Sequence, residues 1–175
     1  MRIHHITAAA CLAALTACSG STPKAMDGNQ DSAMNIQADN KGNMDVQPIS
    51  GYFVKNSIQP ADSLTFWLID NQQSFDSLFG MAKTMNNTID KPDFGTRLVV
   101  AATMPATYYG TQIQLESATI DNVSNNAEMH FVAPAKTKNS YSVLPLWLGT
   151  IPKTGKTTIK FYTGDQLTAT ITTPE

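Results

Sequence analysis

The alternation of apolar and polar positions changes character twice along this chain. Ile6 to Leu15 is a short apolar run rich in alanine. From Ser19 to Gln47 neither a two-residue nor a 3.6-residue period is present. That stretch is Ser, Gly, Asn, Asp, Gln and Lys, with isolated methionines at Met26, Met34 and Met44. So few apolar groups do not offset the entropy lost on ordering, and the pattern predicts a flexible segment. From about Ile49 to Thr173 periodicity returns, mostly with the period of strands.

Tyr52, Val54 and Asn56 alternate with Phe53, Lys55 and Ser57, and Pro60 breaks the run. Leu64 to Ile69 follow as a second, almost wholly apolar strand. Asp70 or Asn71 then offers a helix N-cap, with Phe75, Leu78, Phe79 and Ala82 at the spacing of one buried helix face. Gly80 weakens that helix, and Asn86–Asp90 with Pro92 end it. Arg97 to Met104 is apolar on both faces, as a strand covered on both sides must be. Gln112 to Glu116 alternates with Ile113 and Leu115 inward. After the turn cluster Asp121–Asn126, the residues Ala127, Met129, Phe131 and Ala133 return along a partner strand.

Thr157, Ile159 and Phe161 alternate with Thr158, Lys160 and Tyr162. Gly164-Asp165 suits a tight turn with glycine at its first central position, and Leu167, Ala169 and Ile171 run back. The fold class expected is α+β: an antiparallel β-rich domain, a curled sheet or sandwich, with one packed helix. A domain of this size buries roughly two-thirds of its unfolded surface, enough for a single core.

The N-terminal run has the layout of an export signal. Arg2 supplies a short positive region, and an apolar core of roughly 10 residues is too short to span a bilayer as a helix. Leu15-Thr16-Ala17-Cys18 resembles the bacterial lipobox, in which small residues admit the extended segment to the peptidase and the cysteine thiol takes up diacylglycerol. The expected organisation is therefore a signal peptide at 1–17, a lipidated Cys18 with a flexible tether at 18–48, and a folded domain at 49–175. A tether of this length has an r.m.s. reach of ~30 Å. Ser19 after the cysteine, in place of aspartate, favours the outer membrane facing the periplasm, by analogy with Gram-negative sorting. The membrane is thus a partner through lipid on Cys18, each buried CH₂ adding ~0.8 kcal/mol.

Processing changes the chemical inventory. His4, His5 and Cys11 leave with the signal, so the mature chain keeps only His130 and the acylated Cys18, and the domain stands on its core without disulfides. Losing Arg2 takes the formal charge from −2 to −3, and no basic stripe is present, so nucleic acid is not an expected partner.

Three short matches tempt toward a serine acyltransferase: Ser21-Thr-Pro-Lys24, Ser124-Asn-Asn126 and Lys153-Thr-Gly155. That chemistry needs serine at the start of a buried helix with lysine one turn on. Here the first match lies in the tether with Pro23 inside it, so chance explains the set. Gly149 through Thr157 misses a phosphate loop by one residue and reads as a Pro/Gly turn. Acids are scattered, so neither a metal nor another cofactor is expected; Asp90 and Asp93, which flank Lys91-Pro92, have the chemistry to bind a hard cation, but such pairs usually cap turns. His130 is expected on the solvent side of its strand. Trp67 and Trp147, in apolar runs, are expected in the core.

The surface candidate is the loop Pro105-Ala-Thr-Tyr108-Tyr109-Gly110 between two core strands. Adjacent tyrosines on a loop mark contact surfaces, because they add area at low entropic cost. The competing arrangement packs one tyrosine in the core and lays the other on a sheet edge.

The pattern from Trp67 to Phe79, a strand then a helix, together with Asp93-Phe-Gly-Thr-Arg-Leu-Val-Val-Ala101 and Ile113 to Ile120, resembles the C-terminal domain family of the protease-complex subunit PrcB. The likeness spans roughly Phe66 to Phe161. This chain has Tyr108-Tyr109-Gly110 where that family tends to have Gly-Gly-Tyr. The resemblance implies a non-catalytic module that associates with envelope proteins, a protease among them. Three functions stay open: a tethered protein-interaction module, a binding protein for a small glycan or peptide at Tyr108 and Tyr109, and a small hydrolase.

Overall fold

The computed structural model describes residues 40–61, 63–86 and 88–174. The signal segment, the lipidation site Cys18 and the tether up to residue 39 lie outside the described residues. The chain enters through two short strands, β1 (Lys41–Asn43) and β2 (Gln47–Pro48), then β3 (Tyr52–Val54) and β4 (Thr65–Ile69). Helix α1 (Gln72–Leu78) and β5 (Phe79–Met81) lead into β6 (Arg97–Thr103) and β7 (Thr107–Tyr109). There follow β8 (Gln114–Asp121), β9 (Asn126–Val132), β10 (Lys138–Val143) and β11 (Leu146–Pro152). A final hairpin joins β12 (Thr158–Thr163) to β13 (Gln166–Thr172).

These strands form a four-stranded sheet, β2-β11-β6-β4, and a five-stranded sheet, β1-β8-β9-β12-β13. Two ribbons, β3-β5 and β7-β10, complete the α+β fold, which has one helix among the described residues. One pairing departs from the antiparallel rule: β9 and β12 run parallel, Asn126 opposite Thr158 through Phe131 opposite Thr163. Parallel neighbours need a crossover. Here β10 and β11 supply it by leaving the five-stranded sheet for the ribbon and the other sheet.

The two-residue alternation of β6 explains why its run is apolar throughout. Leu98, Val100 and Ala102 join Phe66 and Ile151 against Ala127, Met129, Phe131, Ile159 and Phe161 of the facing sheet. Phe66 stacks on Phe161 with centroids 4.7 Å apart, and Phe131 meets Trp147 edge-on at 5.0 Å. Val99 and Ala101 point the other way, joining Ile69 and Leu148 under Phe75 of α1 and Val54 and Phe79 of the β3-β5 ribbon. Each fully buried aliphatic or aromatic side chain contributes about 1.5–3 kcal/mol over leaving it in water. Trp67 and Trp147 are partly buried against these two clusters.

The helix is shorter than its spacing predicts. Asn71 caps it, accepting from the Ser74 N–H at 2.8 Å, but it stops at Leu78. Phe79 satisfies a helical face and a strand equally well, and here it pairs with Val54 in β5. Opposite Phe53 stands Gly80, and a Cβ there would lie 2.5 Å from the Phe53 ring, so the absent side chain makes room for the aromatic.

The folded unit also begins ahead of Ile49. Residues 41–48, assigned by their polarity to the tether, form a strap across both sheets: β1 adds to β8 and β2 adds to β11. Met44 and Val46 pack on the core between the sheets. Arg97, with only 16% of its side chain exposed, donates to the Asp45 carboxylate at 2.7 Å, to the Asp45 carbonyl and to the Thr150 carbonyl, both at 2.9 Å. The order of the strap comes from edge pairing and one arginine, neither of which leaves a period in the sequence.

Candidate contact surface

β6 ends at Thr103, β8 begins at Gln114, β9 ends at Val132 and β11 begins at Leu146. All four termini therefore lie at one end of the sandwich. Two of the connections between sheets, β6 to β8 and β9 to β11, leave the body there and pair with each other as the β7-β10 ribbon. Lys138 stands opposite Tyr109 and Val143 opposite Thr107, with an irregularity between. The base of the ribbon is fixed by the Gly110 N–H donating to the Thr137 carbonyl at 3.0 Å, the Thr111 N–H donating to the Tyr109 carbonyl at 2.7 Å, and the buried Thr111.

Tyr108 and Tyr109 stand on the strand β7 and not on a loop, because β10 pairs with it, and both face solvent, at 55% and 47% exposure. The arrangement with one of them in the core does not occur. Tyr141 on the facing strand is more exposed still, at 62%. It escapes a local reading because a lone tyrosine in Lys-Thr-Lys-Asn-Ser-Tyr-Ser carries no period. Its neighbours arrive through a pairing some 30 residues away in sequence, a long-range contact of the kind local patterns do not encode. Beside the ribbon lies an open depression of about 170 Å³, lined by Ile58, Gln59, Pro60, Pro105, Ala106 and Leu144.

The charge around these tyrosines is one-sided. Acids outnumber bases in the chain, 14 to 12, yet residues 94–115 and 129–164 contain no Asp or Glu. Both ribbon strands fall in those stretches, with Lys136 and Lys138 exposed beside them. Lys136 donates to the Gln112 side chain. The ribbon thus offers ring faces, phenol hydroxyls, small polar side chains and cations. Residues 105–112 and 134–145 hold no carboxylate, imidazole or thiol. Such a set can make apolar, hydrogen-bonding and charged contacts.

The other sequence candidates lie elsewhere. Ser124 donates to Asp121 at 2.7 Å within the β8–β9 turn, and Lys153 donates to the Phe94 carbonyl at 2.6 Å, so neither hydrogen-bonds the other; residues 21–24 lie outside the described residues. Gly149 is buried within β11 and not part of a turn, which starts only after Pro152. Asp90 accepts from the Ser50 N–H and hydroxyl at 2.8 Å each, and Asp93 accepts from the Gly95 N–H and the Thr96 hydroxyl. Among the described residues no cluster of three metal-ligating side chains forms. His130 is on the outer sheet face as expected but half-buried, stacked on Tyr162 at 4.4 Å with its Nδ1 3.3 Å from the Gly164 carbonyl. The shifted carboxylates cap turns or clamp the strap. The Thr96 hydroxyl and Gly95 N–H hold Asp93 below the usual range, the Ser124 hydroxyl and Val123 N–H do so for Asp121, and Arg97 does so for Asp45.

No protein-family model matches the chain, and no curated protein or solved structure shows significant similarity to it.

Proposed function

We propose that this chain is a non-catalytic, membrane-tethered contact module of the cell envelope that binds a protein partner through the tyrosine ribbon. The observation that carries the proposal is the ribbon itself: three exposed tyrosines, two of them adjacent, on paired strands that contribute no aromatic ring to the core. Tyrosine is enriched where proteins meet, since it buries a large, rigid surface and keeps a polar tip. The acid-free ribbon strands, with Lys136 and Lys138, suit a partner whose matching face carries carboxylates. The anchor at Cys18, the outer-membrane location facing the periplasm and the association with a protease all belong to this proposal. The first two follow from the lipobox-like segment and the last from the resemblance of Trp67–Phe79 and Asp93–Ala101.

Crosslinking in native envelopes, followed by capture of the full-length lipidated chain and mass spectrometry, tests it. A stoichiometric protein should be recovered and then lost from a Tyr108→Ala, Tyr109→Ala, Tyr141→Ala variant. Recovery that ignores the three substitutions would remove the ribbon from the proposal. A second reading, a small glycan or peptide ligand, draws support from the depression beside the ribbon. Thermal shifts with a glycan and peptide panel that disappear in the same variant would favour it.

A further inference from the structure

The two main sheets end in four edge strands, and these are guarded unequally. A free edge presents unpaired N–H and C=O groups, which soluble proteins blunt with charge, proline, shortness or a covering segment. β1 is three residues long and carries Lys41, and β2 is two residues long and includes Pro48. β4 is half to fully buried along its length. β13 has none of these protections. It runs for seven residues, Gln-Leu-Thr-Ala-Thr-Ile-Thr, without a charge, a proline or a glycine. Leu167 is 49% exposed, and no strand lies beyond β13 among the described residues. Guards stand only at its two ends: a register irregularity opposite Phe161 and Tyr162, and Pro174 just past the strand.

Between those ends the strand is complementary to itself. The Thr173 N–H donates to the Thr157 carbonyl at 2.9 Å, so backbone groups of Ile171 also face β12. By the alternation of an antiparallel ladder, those of Thr170 and Thr172 face outward. Side chains alternate as well: Ala169 and Ile171 pack on the core between the sheets, while Thr170 and Thr172 are exposed on the outer face. A second molecule turned about a twofold axis at Ile171 sets its Thr172 against Thr170, and its Ile171 against Ile171. The outward backbone groups then find partners, threonine meets threonine, and no like charges are brought opposite each other.

We infer that β13 joins a second copy of this chain edge to edge, so that two five-stranded sheets continue as one antiparallel sheet. The window is short, so the dimer belongs with small, weak interfaces. Confinement to a membrane surface, which rests on the anchor proposed above, raises the effective concentration and favours it. The ribbon tyrosines take no part, so this inference and the partner proposal stand or fall separately.

Sedimentation equilibrium of the full-length lipidated chain in detergent tests the inference. The expected result is a concentration-dependent monomer–dimer equilibrium. A Thr170→Lys, Thr172→Lys variant, which sets like charges opposite each other, should dissociate at least about tenfold more readily. Thr119→Lys, with the same charge on the same sheet but far from the edge, should leave the equilibrium unchanged. The register has its own readout. A mixture of Thr170→Cys and Thr172→Cys chains should give a disulfide-linked dimer above the background of the unsubstituted chain, because hydrogen-bonded antiparallel partners have Cα atoms ~5.5 Å apart. Each variant alone should not. A chain that stays monomeric into the millimolar range, or a dimer indifferent to the paired lysines, overturns the inference.

Discussion

β6 and β7 are neighbours in the chain, separated only by Met104, Pro105 and Ala106, yet they put their side chains to opposite uses. β6 is buried on both faces and fills the two cores with Leu98, Val99, Val100, Ala101 and Ala102. β7 keeps its large side chains in water, and its sheet partner, β10, does the same with Tyr141. The difference teaches that stability and contact are carried by separate residues in this protein. Substitutions should therefore fall into two groups, one moving the unfolding midpoint and the other moving binding.

The largest effect on stability is expected in the inter-sheet core. Phe161→Ala removes a fully buried ring stacked on Phe66, and it should cost about 3–5 kcal/mol in denaturant unfolding. A loss under about 1 kcal/mol would mean that the two sheets do not pack as described. The helix cap comes next: Asn71→Ala strands the Ser74 N–H and should cost about 1 kcal/mol. Thr103 sharpens the contrast from the other side. Its fully buried hydroxyl has no hydrogen-bond partner among the described residues, so Thr103→Val should raise stability by up to about 1 kcal/mol.

Acid should act on the turns and the strap. Asp45, Asp93 and Asp121 have folded-state pKa values held below the ordinary aspartate value of about 3.9. Their contribution is present above that value and lost as pH falls through the lower folded values. The thermal midpoint should drop in that window, and less steeply in Asp93→Asn. Smallest of all on stability are the ribbon tyrosines. Each Tyr→Ala change should stay within about 0.5 kcal/mol by denaturant unfolding, while partner capture falls. A larger destabilisation would place a tyrosine among the structural residues.

Much of the β framework is legible in the sequence because burial on one face leaves a two-residue period. Ala127, Met129 and Phe131, and Ile159 and Phe161, are all inward as their alternation requires. The double burial of β6 is legible from its unbroken apolar run, and the helix start from Asn71. Four features are not fully legible, each for a physical reason. The strap is held by backbone pairing and Arg97, with Met44 and Val46 as its only apolar contributions. The helix end is ambiguous because Phe79 serves two periods, and strand pairing with Val54 decides between them. The site is half visible: Tyr108 and Tyr109 stand out as a pair, while Tyr141 joins them only through the ribbon. The parallel pairing of β9 and β12 likewise depends on where the intervening chain travels.

The strap gives the molecule a direction. Lys41 is opposite Asp121, at the far end of β8 from Gln114, and the ribbon rises beyond Gln114. The strand spans eight residues, or about 26 Å at ~3.3 Å each. The polypeptide therefore comes in at one pole of the sandwich and displays its tyrosines at the other.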